Sequence, residues 1–143
     1  MPVTAAPVYI VEDDAGMRDA VSLLLRGAGF EVHTYPSAET FLSEVDCSKS
    51  ICLLTDVRLP GMDGIALFRH LLRLGTEPAV VVITGHGDIP MAVAALKDGL
   101  VDFVEKRSIL ACCWTACVKR CSVLPPTRNA QRSRRISKRG GRR

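Results

Sequence analysis

The chain has 143 residues, of which 48% are apolar, so it has the length of one domain and can bury an ordinary core. Its net charge of +4 hides a division: residues 1–106 carry 8 Lys or Arg against 15 Asp or Glu, whereas residues 107–143 carry 11 Lys or Arg and no acid. No basic and apolar leader and no apolar run of membrane-spanning length is visible. We therefore expect a cytoplasmic protein with no membrane partner and with its six cysteines reduced.

Strand and helix patterns alternate along residues 1–106. Short apolar runs predict strands, and apolar residues spaced every three or four positions predict helices. The predicted elements are strands at Val8–Val11, Glu31–Tyr35, Ile51–Thr55, Val80–Ile83 and Val101–Val104, and helices at Ala15–Ala28, 38–45, Ile65–Arg73 and Ile89–Asp98. In the last helix we expect Met91, Ala92, Ala95 and Leu96 to face the core. This alternation predicts a parallel sheet with helices on both faces.

Polar side chains suited to phosphoryl chemistry follow four of the predicted strands. They are Glu12 and Asp13 after the first strand, Asp56 after the third, Thr84 after the fourth and Lys106 after the fifth. Because ligands bind at the carboxyl ends of parallel strands, we expect these side chains to form one site. Carboxylates with no Cys or His nearby favour Mg²⁺ or Mn²⁺ over zinc, and a carboxylate can act as a nucleophile. The sequence therefore predicts a site for a divalent cation and a phosphoryl group.

Four stretches carry a resemblance to a known family. They are Val11-Glu12-Asp13-Asp14, residues 55–64 (TDVRLPGMDG), residues 83–88 (ITGHGD) and Asp102-Phe103-Val104-Glu105-Lys106. Over about residues 7–106 the chain resembles a two-component response regulator receiver domain of the FixJ-like subgroup. The resemblance implies a flavodoxin-like, doubly wound α/β fold with a five-stranded parallel sheet in the order 2-1-3-4-5.

The resemblance also implies roles for individual residues. Asp56 is the expected phosphoacceptor. Glu12, Asp13, Asp56 and the backbone carbonyl of Arg58 are the expected metal ligands. Thr84 and Lys106 are expected to hold phosphoryl oxygens, while Thr84 and Phe103 form the switch. The expected partners are a sensor histidine kinase and a second copy, through the face of the fourth helix and fifth strand. Such a receiver promotes its own phosphorylation and dephosphorylation and is not a turnover enzyme.

The sequence departs from the family after Lys106. Receivers have Pro-Phe and a fifth helix there, whereas this chain has Arg107-Ser108. A cis bond before a residue other than proline costs about 3 kcal/mol, so we expect a trans Lys106–Arg107 bond. A Pro-Phe pair encoded CCG-TTC and read one base later begins with codons for Arg-Ser. We hypothesise that residues 107–143 are a frameshifted end and that the protein is a truncated regulator lacking an output domain.

These observations divide the chain into a receiver domain at 1–106, a Cys-rich segment at 107–127 and a basic, disordered tail at 128–143. The middle segment has two interpretations. Leu110, Trp114, Cys117, Cys121 and Leu124 recur at helical spacing and suggest a surrogate fifth helix; its four cysteines suggest a metal cluster, although CxxC spacing is absent. The tail has the composition of a nonspecific nucleic-acid-binding segment.

Two other functions compete with the receiver interpretation. One is a nucleic-acid-binding module that acts through the basic tail. The other is a phosphohydrolase with an Asp nucleophile, in the manner of haloacid-dehalogenase-like enzymes. Those enzymes carry an acid two residues after the nucleophile, and this chain has Arg58 there.

Overall fold

The computed structural model describes residues 7–46, 51–76 and 78–111. Strands and helices alternate along them in the order β1 (Val8–Val11), α1 (Ala15–Gly27), β2 (Val32–Tyr35), α2 (Ala38–Glu44), β3 (Ile51–Asp56), α3 (Gly64–Arg73), β4 (Pro78–Thr84), α4 (Ile89–Leu96) and β5 (Asp102–Glu105). Short 3-10 segments follow β4 at His86–Asp88 and β5 at Lys106–Ala111.

The five strands form one parallel sheet in the order β2-β1-β3-β4-β5, which confirms the predicted topology. β1 pairs with β2 on one side and with β3 on the other, so the strand order reverses between β1 and β3. In open sheets of this kind, a crevice forms at such a reversal, outside the carboxyl ends of the strands. The turns that follow β1 and β3 therefore flank the place where a ligand is expected.

The two faces of the sheet carry separate apolar clusters. Val21 and Leu25 of α1 pack against one face, and the inner sides of α2, α3 and α4 pack against the other. β3 and β4 are buried along their whole length, as expected for central strands covered on both faces. One predicted core residue was wrong: Met91 on α4 is 43% exposed.

Polar side chains begin three of the helices at the carboxyl edge of the sheet. Asp14, Ser37 and Asp63 each accept a hydrogen bond from the backbone N–H three residues later, at 2.8, 3.1 and 2.7 Å. These caps satisfy N–H groups that lack a partner in the first turn of a helix. They also fix the point at which each loop from the sheet becomes a helix.

The Lys106–Arg107 peptide bond is trans, as expected for a bond that precedes Arg. Beyond it the chain forms a 3-10 segment as far as Ala111. The surrogate helix, the cysteine cluster and the basic tail were predicted largely for residues that lie outside the described part of the chain. The division at residues 106 and 127 remains a prediction. Within the described residues, no helix combines the length and apolar character that crossing a membrane requires.

Candidate metal and phosphoryl site

The turn after β1 presents two carboxylates of different exposure. The Glu12 side chain is fully buried, whereas Asp13 is exposed. Glu12 Oε2 accepts a hydrogen bond from the Asp14 N–H at 3.1 Å, and the Glu12 carbonyl accepts one from Arg18 Nη1 at 2.8 Å. The first turn of α1 thus holds the backbone and the side chain of Glu12 in place.

Asp56 is the last residue of β3 and is 2% exposed. Its Oδ1 accepts a hydrogen bond from the Arg58 N–H at 3.0 Å. Its Oδ2 forms an ion pair with Lys106 Nζ at 3.0 Å. The carboxylate is therefore oriented by a backbone donor on one oxygen and faces a cation with the other.

The loop after Asp56 is tightly packed under the site. The Val57 N–H donates to the Ile83 carbonyl, and the Gly64 N–H donates to the Val57 carbonyl, both at 2.9 Å. A Cβ atom added at Gly64 would lie 2.2 Å from the carbonyl oxygen of Asp56. Only glycine allows this close approach of α3 to the end of β3. The start of α3 thus packs directly against the Asp56 backbone, and this packing requires glycine at position 64.

Glu12, Asp13 and Asp56 form a carboxylate cluster. Each offers one oxygen, and these oxygens all lie within 4.8 Å of one another. Burial raises the pKa of Glu12 from 4.5 to about 8. The negative charge of Asp56 adds to this rise, whereas the hydrogen bond from the Asp14 N–H lowers the pKa. Like charges held this close repel strongly when they are shielded from water, which is the physical origin of the Asp56 contribution.

The cluster fits a hard divalent cation. Glu12 Oε1 is a buried oxygen without a hydrogen-bond partner in the described part of the chain, and the buried Asp56 Oδ2 is met by Lys106 Nζ at 3.0 Å. Buried acceptors of this kind are rare unless an ion or a water completes them. An all-oxygen donor set suits Mg²⁺ or Mn²⁺. A cleft of about 600 Å³ opens beside the cluster and is lined in part by Asp13, Arg58 and Asp88.

Lys106 reaches the cluster from the end of β5. Its side chain is 43% exposed, and its ammonium group faces Asp56. Partial burial lowers the pKa of Lys106, but the adjacent Asp56 and, behind it, Glu12 and Asp13 raise it by more, and the net direction is upward. The ammonium group therefore stays charged. It lies beside Asp56 although Arg107 and not proline follows it.

The two predicted switch residues lie on β4 and β5. Thr84 ends β4 and is fully buried, and its hydroxyl donates to the Gly85 carbonyl at 2.6 Å. Phe103 lies on β5, half-buried against the cluster formed with α2, α3 and α4. The carboxylates and Lys106 are thus brought together, and Thr84 lies at the same edge with its hydroxyl engaged within its own loop.

Sequence reasoning missed two carboxylates that hold the loop after β3. Asp88 binds the Arg58 guanidinium with both oxygens, at 2.9 and 3.0 Å, and the Arg58 hydrogen bonds hold the pKa of Asp88 below its usual range. Glu39 on α2 accepts the Met62 N–H at 2.9 Å, which lowers the pKa of Glu39. Both contacts join residues more than 20 positions apart. No local pattern signals them.

The doubly wound sheet, with a carboxylate cluster and a lysine at its carboxyl edge, defines a receiver-type α/β domain. A family model described as "Response regulator receiver domain" matches residues 8–111. The chain belongs to the response regulator receiver domain family.

Individual relatives agree with this assignment. The chain is 42% identical over 103 residues to the transcriptional regulatory protein FixJ of Bradyrhizobium diazoefficiens, covering 72% of this chain and 50% of FixJ. It is 45% identical over 102 residues to the response regulator protein TodT of Pseudomonas putida, covering 71% of this chain and 45% of TodT. The chain thus spans about half the length of these curated relatives.

Solved structures give the same result for the fold. The crystal structure of FixJ-N superposes with a TM-score of 0.67 at 35% identity, covering 86% of this chain and all of that one. The structure of the response regulator StyR superposes with a TM-score of 0.72 at 34% identity, covering 96% of this chain and 67% of that one.

Proposed function

We propose that the chain accepts a phosphoryl group on Asp56 from the phosphohistidine of a sensor histidine kinase, with the help of a divalent cation. One observation carries the proposal. The buried Asp56 carboxylate is held between the Arg58 N–H and the Lys106 ammonium group, and its oxygens belong to a cluster with Glu12 and Asp13. A carboxylate cluster beside a cleft that contains a group with a strongly shifted pKa, here Glu12, is a common mark of a functional site.

In the proposed reaction, an Asp56 oxygen attacks phosphorus as the P–N bond of the phosphohistidine breaks. The electron pair of that bond returns to the imidazole nitrogen, and Asp56 becomes an acyl phosphate. Such transfers depend mainly on positioning and on stabilisation of charge. The Arg58 N–H keeps the carboxylate in one orientation, and Lys106 supplies a positive charge beside it.

Glu12, Asp13 and Asp56, with the Arg58 carbonyl as a further ligand, would hold the cation. When bound, Mg²⁺ or Mn²⁺ neutralises negative charge on the transferring phosphoryl group. Glu12 must lose its proton to act as a ligand, and its raised pKa means that cation binding and proton release are linked near neutral pH.

Thr84 and Phe103 are the proposed switch. The Thr84 hydroxyl must leave the Gly85 carbonyl before it can donate to a phosphoryl oxygen. That exchange would pull on the loop after β4 and change the surroundings of the half-buried Phe103 on the neighbouring strand. A small local displacement of this kind can bias a two-state element.

The output surface is also a proposal. The helix α4, which contacts β5, exposes apolar side chains: Met91 is 43% exposed and Val93 is 44% exposed. Exposed apolar patches commonly mark interaction sites. We propose that a second copy of the chain docks here after phosphorylation. Nucleic-acid binding through residues 128–143 remains a prediction, because those residues lie outside the described part of the chain.

The phosphoacceptor proposal is tested by intact mass spectrometry of the full chain after incubation with Mg²⁺ and a small phosphodonor such as phosphoramidate. We expect a gain of one phosphoryl group that EDTA prevents and that Asp56→Asn abolishes. Asp98→Asn is the control: it removes an exposed carboxylate that pairs with Arg69, and this variant should still gain the phosphoryl group. Sustained release of phosphate over many turnovers would instead identify a phosphohydrolase.

A further inference from the structure

Arg58 is fixed at both ends by different parts of the site. Its backbone N–H donates to Asp56 Oδ1 at 3.0 Å. Its guanidinium binds Asp88 through two hydrogen bonds, from Nε at 2.9 Å and from Nη2 at 3.0 Å. The Asp88 side chain is 6% exposed, whereas that of Arg58 is 77% exposed. The buried Asp88 carboxylate is therefore the fixed partner, and it anchors the exposed Arg58 side chain of the loop after β3.

Asp88 also belongs to the loop that carries Thr84. It ends the 3-10 segment His86–Asp88, and its N–H donates to the Gly85 carbonyl at 3.0 Å. The same carbonyl accepts the Thr84 hydroxyl at 2.6 Å. A continuous chain of contacts thus leads from Asp56 through Arg58 and Asp88 to Thr84.

We propose that Asp88 is a positioning residue for the cation site, acting through Arg58 on the Asp56 carboxylate. The inference rests on the proposed function, since it assumes that the carboxylate cluster binds a cation. A charge-assisted, bidentate pair fixes both the place and the plane of the guanidinium. Without it, the loop after β3 must be ordered when the cation binds, and the entropy lost at that moment weakens binding.

A simpler electrostatic account makes a different prediction. If Asp88 and Arg58 act on the cation only through their charges, removal of Asp88 weakens cation binding and removal of Arg58 strengthens it. If they act by positioning, removal of either residue weakens binding. The sign of the Arg58 effect therefore distinguishes the two accounts.

The experiment measures the dissociation constant of Mn²⁺ by isothermal titration calorimetry, with the full chain and no phosphodonor. We expect Asp88→Asn and Arg58→Ala each to raise the dissociation constant by roughly tenfold, at the low end of the range for residues that support metal ligands. The double variant should be no worse than either single variant. Arg58→Lys keeps the charge but loses the bidentate geometry, and it should behave like Arg58→Ala.

A matched control is available in a second ion pair, which joins Arg69 of α3 to Asp98 after the end of α4. Arg69 Nη1 and Asp98 Oδ2 lie 2.5 Å apart, both side chains are nearly half exposed, and neither residue belongs to the carboxylate cluster. Arg69→Ala and Asp98→Asn should leave the Mn²⁺ dissociation constant within about twofold of the wild type, as expected for an exposed pair. Melting temperatures without cation establish that each variant is folded.

Several results would overturn the inference: tighter Mn²⁺ binding by Arg58→Ala, wild-type affinity in Asp88→Asn, or additive effects in the double variant. If the wild type is phosphorylated on Asp56 while the pair variants keep wild-type cation affinity, the inference fails and the proposed function stands. If cation affinity depends on the pair but no phosphoryl group reaches Asp56, the inference stands and the proposed function fails.

Discussion

Two regions of the sheet are equally buried but have opposite effects on the stability of the fold. One is the middle of β3 and β4, and the other is the carboxyl ends of β1, β3 and β4. Leu54 and Val82 in the middle are fully buried among apolar neighbours. At the ends, Glu12, Asp56 and Thr84 are at most 2% exposed. Glu12 Oε1 has no hydrogen-bond partner in the described residues, and the Asp56 carboxylate faces the Lys106 ammonium group. The middles stabilise the sheet, whereas the ends hold costly groups in position for a ligand.

The largest effect should come from the middle of a strand. Leu54→Ala removes a fully buried side chain from β3, so we expect a loss of about 2–5 kcal/mol in the free energy of unfolding. Leu23 on α1 is 72% exposed, and Leu23→Ala should change that free energy by less than about 0.5 kcal/mol. Urea denaturation of both variants checks the contrast. Equal effects would mean that the sheet middle is not the stabilising region.

Gly64→Ala tests how closely the end of β3 is packed. The new Cβ would lie 2.2 Å from the Asp56 carbonyl oxygen, so the backbone must shift, at a cost of about 1–3 kcal/mol. The shift should also reduce phosphoryl uptake by Asp56. Gly27 ends α1 with no atom within 4 Å of an added Cβ, and Gly27→Ala should stabilise the protein by about 0.4–1 kcal/mol. A Gly64→Ala protein as stable as the wild type would refute the close approach.

Much of this arrangement was predictable from the sequence, because strand ends and helix caps have local signals. The strand predicted at Val8–Val11 has those bounds, and the helices predicted to begin at Ala15 and at residue 38 do so, directly after the caps Asp14 and Ser37. The length of β4 was underestimated: it begins at Pro78, since proline is acceptable as the first residue of a strand, and it includes Thr84.

Other features carry no local signal. α4 is apolar on nearly every side, so its periodicity did not separate the inward Ala92 and Ala95 from the exposed Met91. The Arg58–Asp88 contact joins residues 30 positions apart. It depends on how β3 and β4 lie side by side, and a single sequence does not display that.

The raised pKa of Glu12 gives the carboxyl edge a pH dependence that the strand middles lack. The pKa of Glu12 is about 8 in the folded protein, above its ordinary value of 4.5. Between pH 4.5 and pH 8, Glu12 is therefore protonated in the folded state and ionised in the unfolded state. Stability contributed by this group is therefore complete below pH 4.5 and is lost as the pH rises through 8.

Glu12→Gln should remove that loss when no cation is present. We expect the wild type in EDTA to lose roughly 2 kcal/mol more than Glu12→Gln between pH 6 and pH 8. Urea denaturation at several pH values measures the difference. Parallel pH profiles for the two proteins would show that Glu12 is ionised in the folded state throughout.

The smallest effect concerns the exposed member of the cluster. A cation at ten times its dissociation constant stabilises the folded protein by about 1.4 kcal/mol, so Mg²⁺ should raise the melting temperature of the wild type. Asp13→Ala should lose most of that gain. Asp19→Ala removes an exposed acid of α1 outside the cluster and should keep it. Loss of the gain in both variants would point to general charge screening instead of a site.

The most direct test of the central claim is to locate the phosphoryl group. After reaction with Mg²⁺ and a small phosphodonor, borohydride reduction converts an acyl phosphate to an alcohol, which peptide mass spectrometry assigns to one residue. The account predicts modification at Asp56 alone and none in Asp56→Asn. An adduct that persists in Asp56→Asn, or that maps to a serine or histidine, would contradict it.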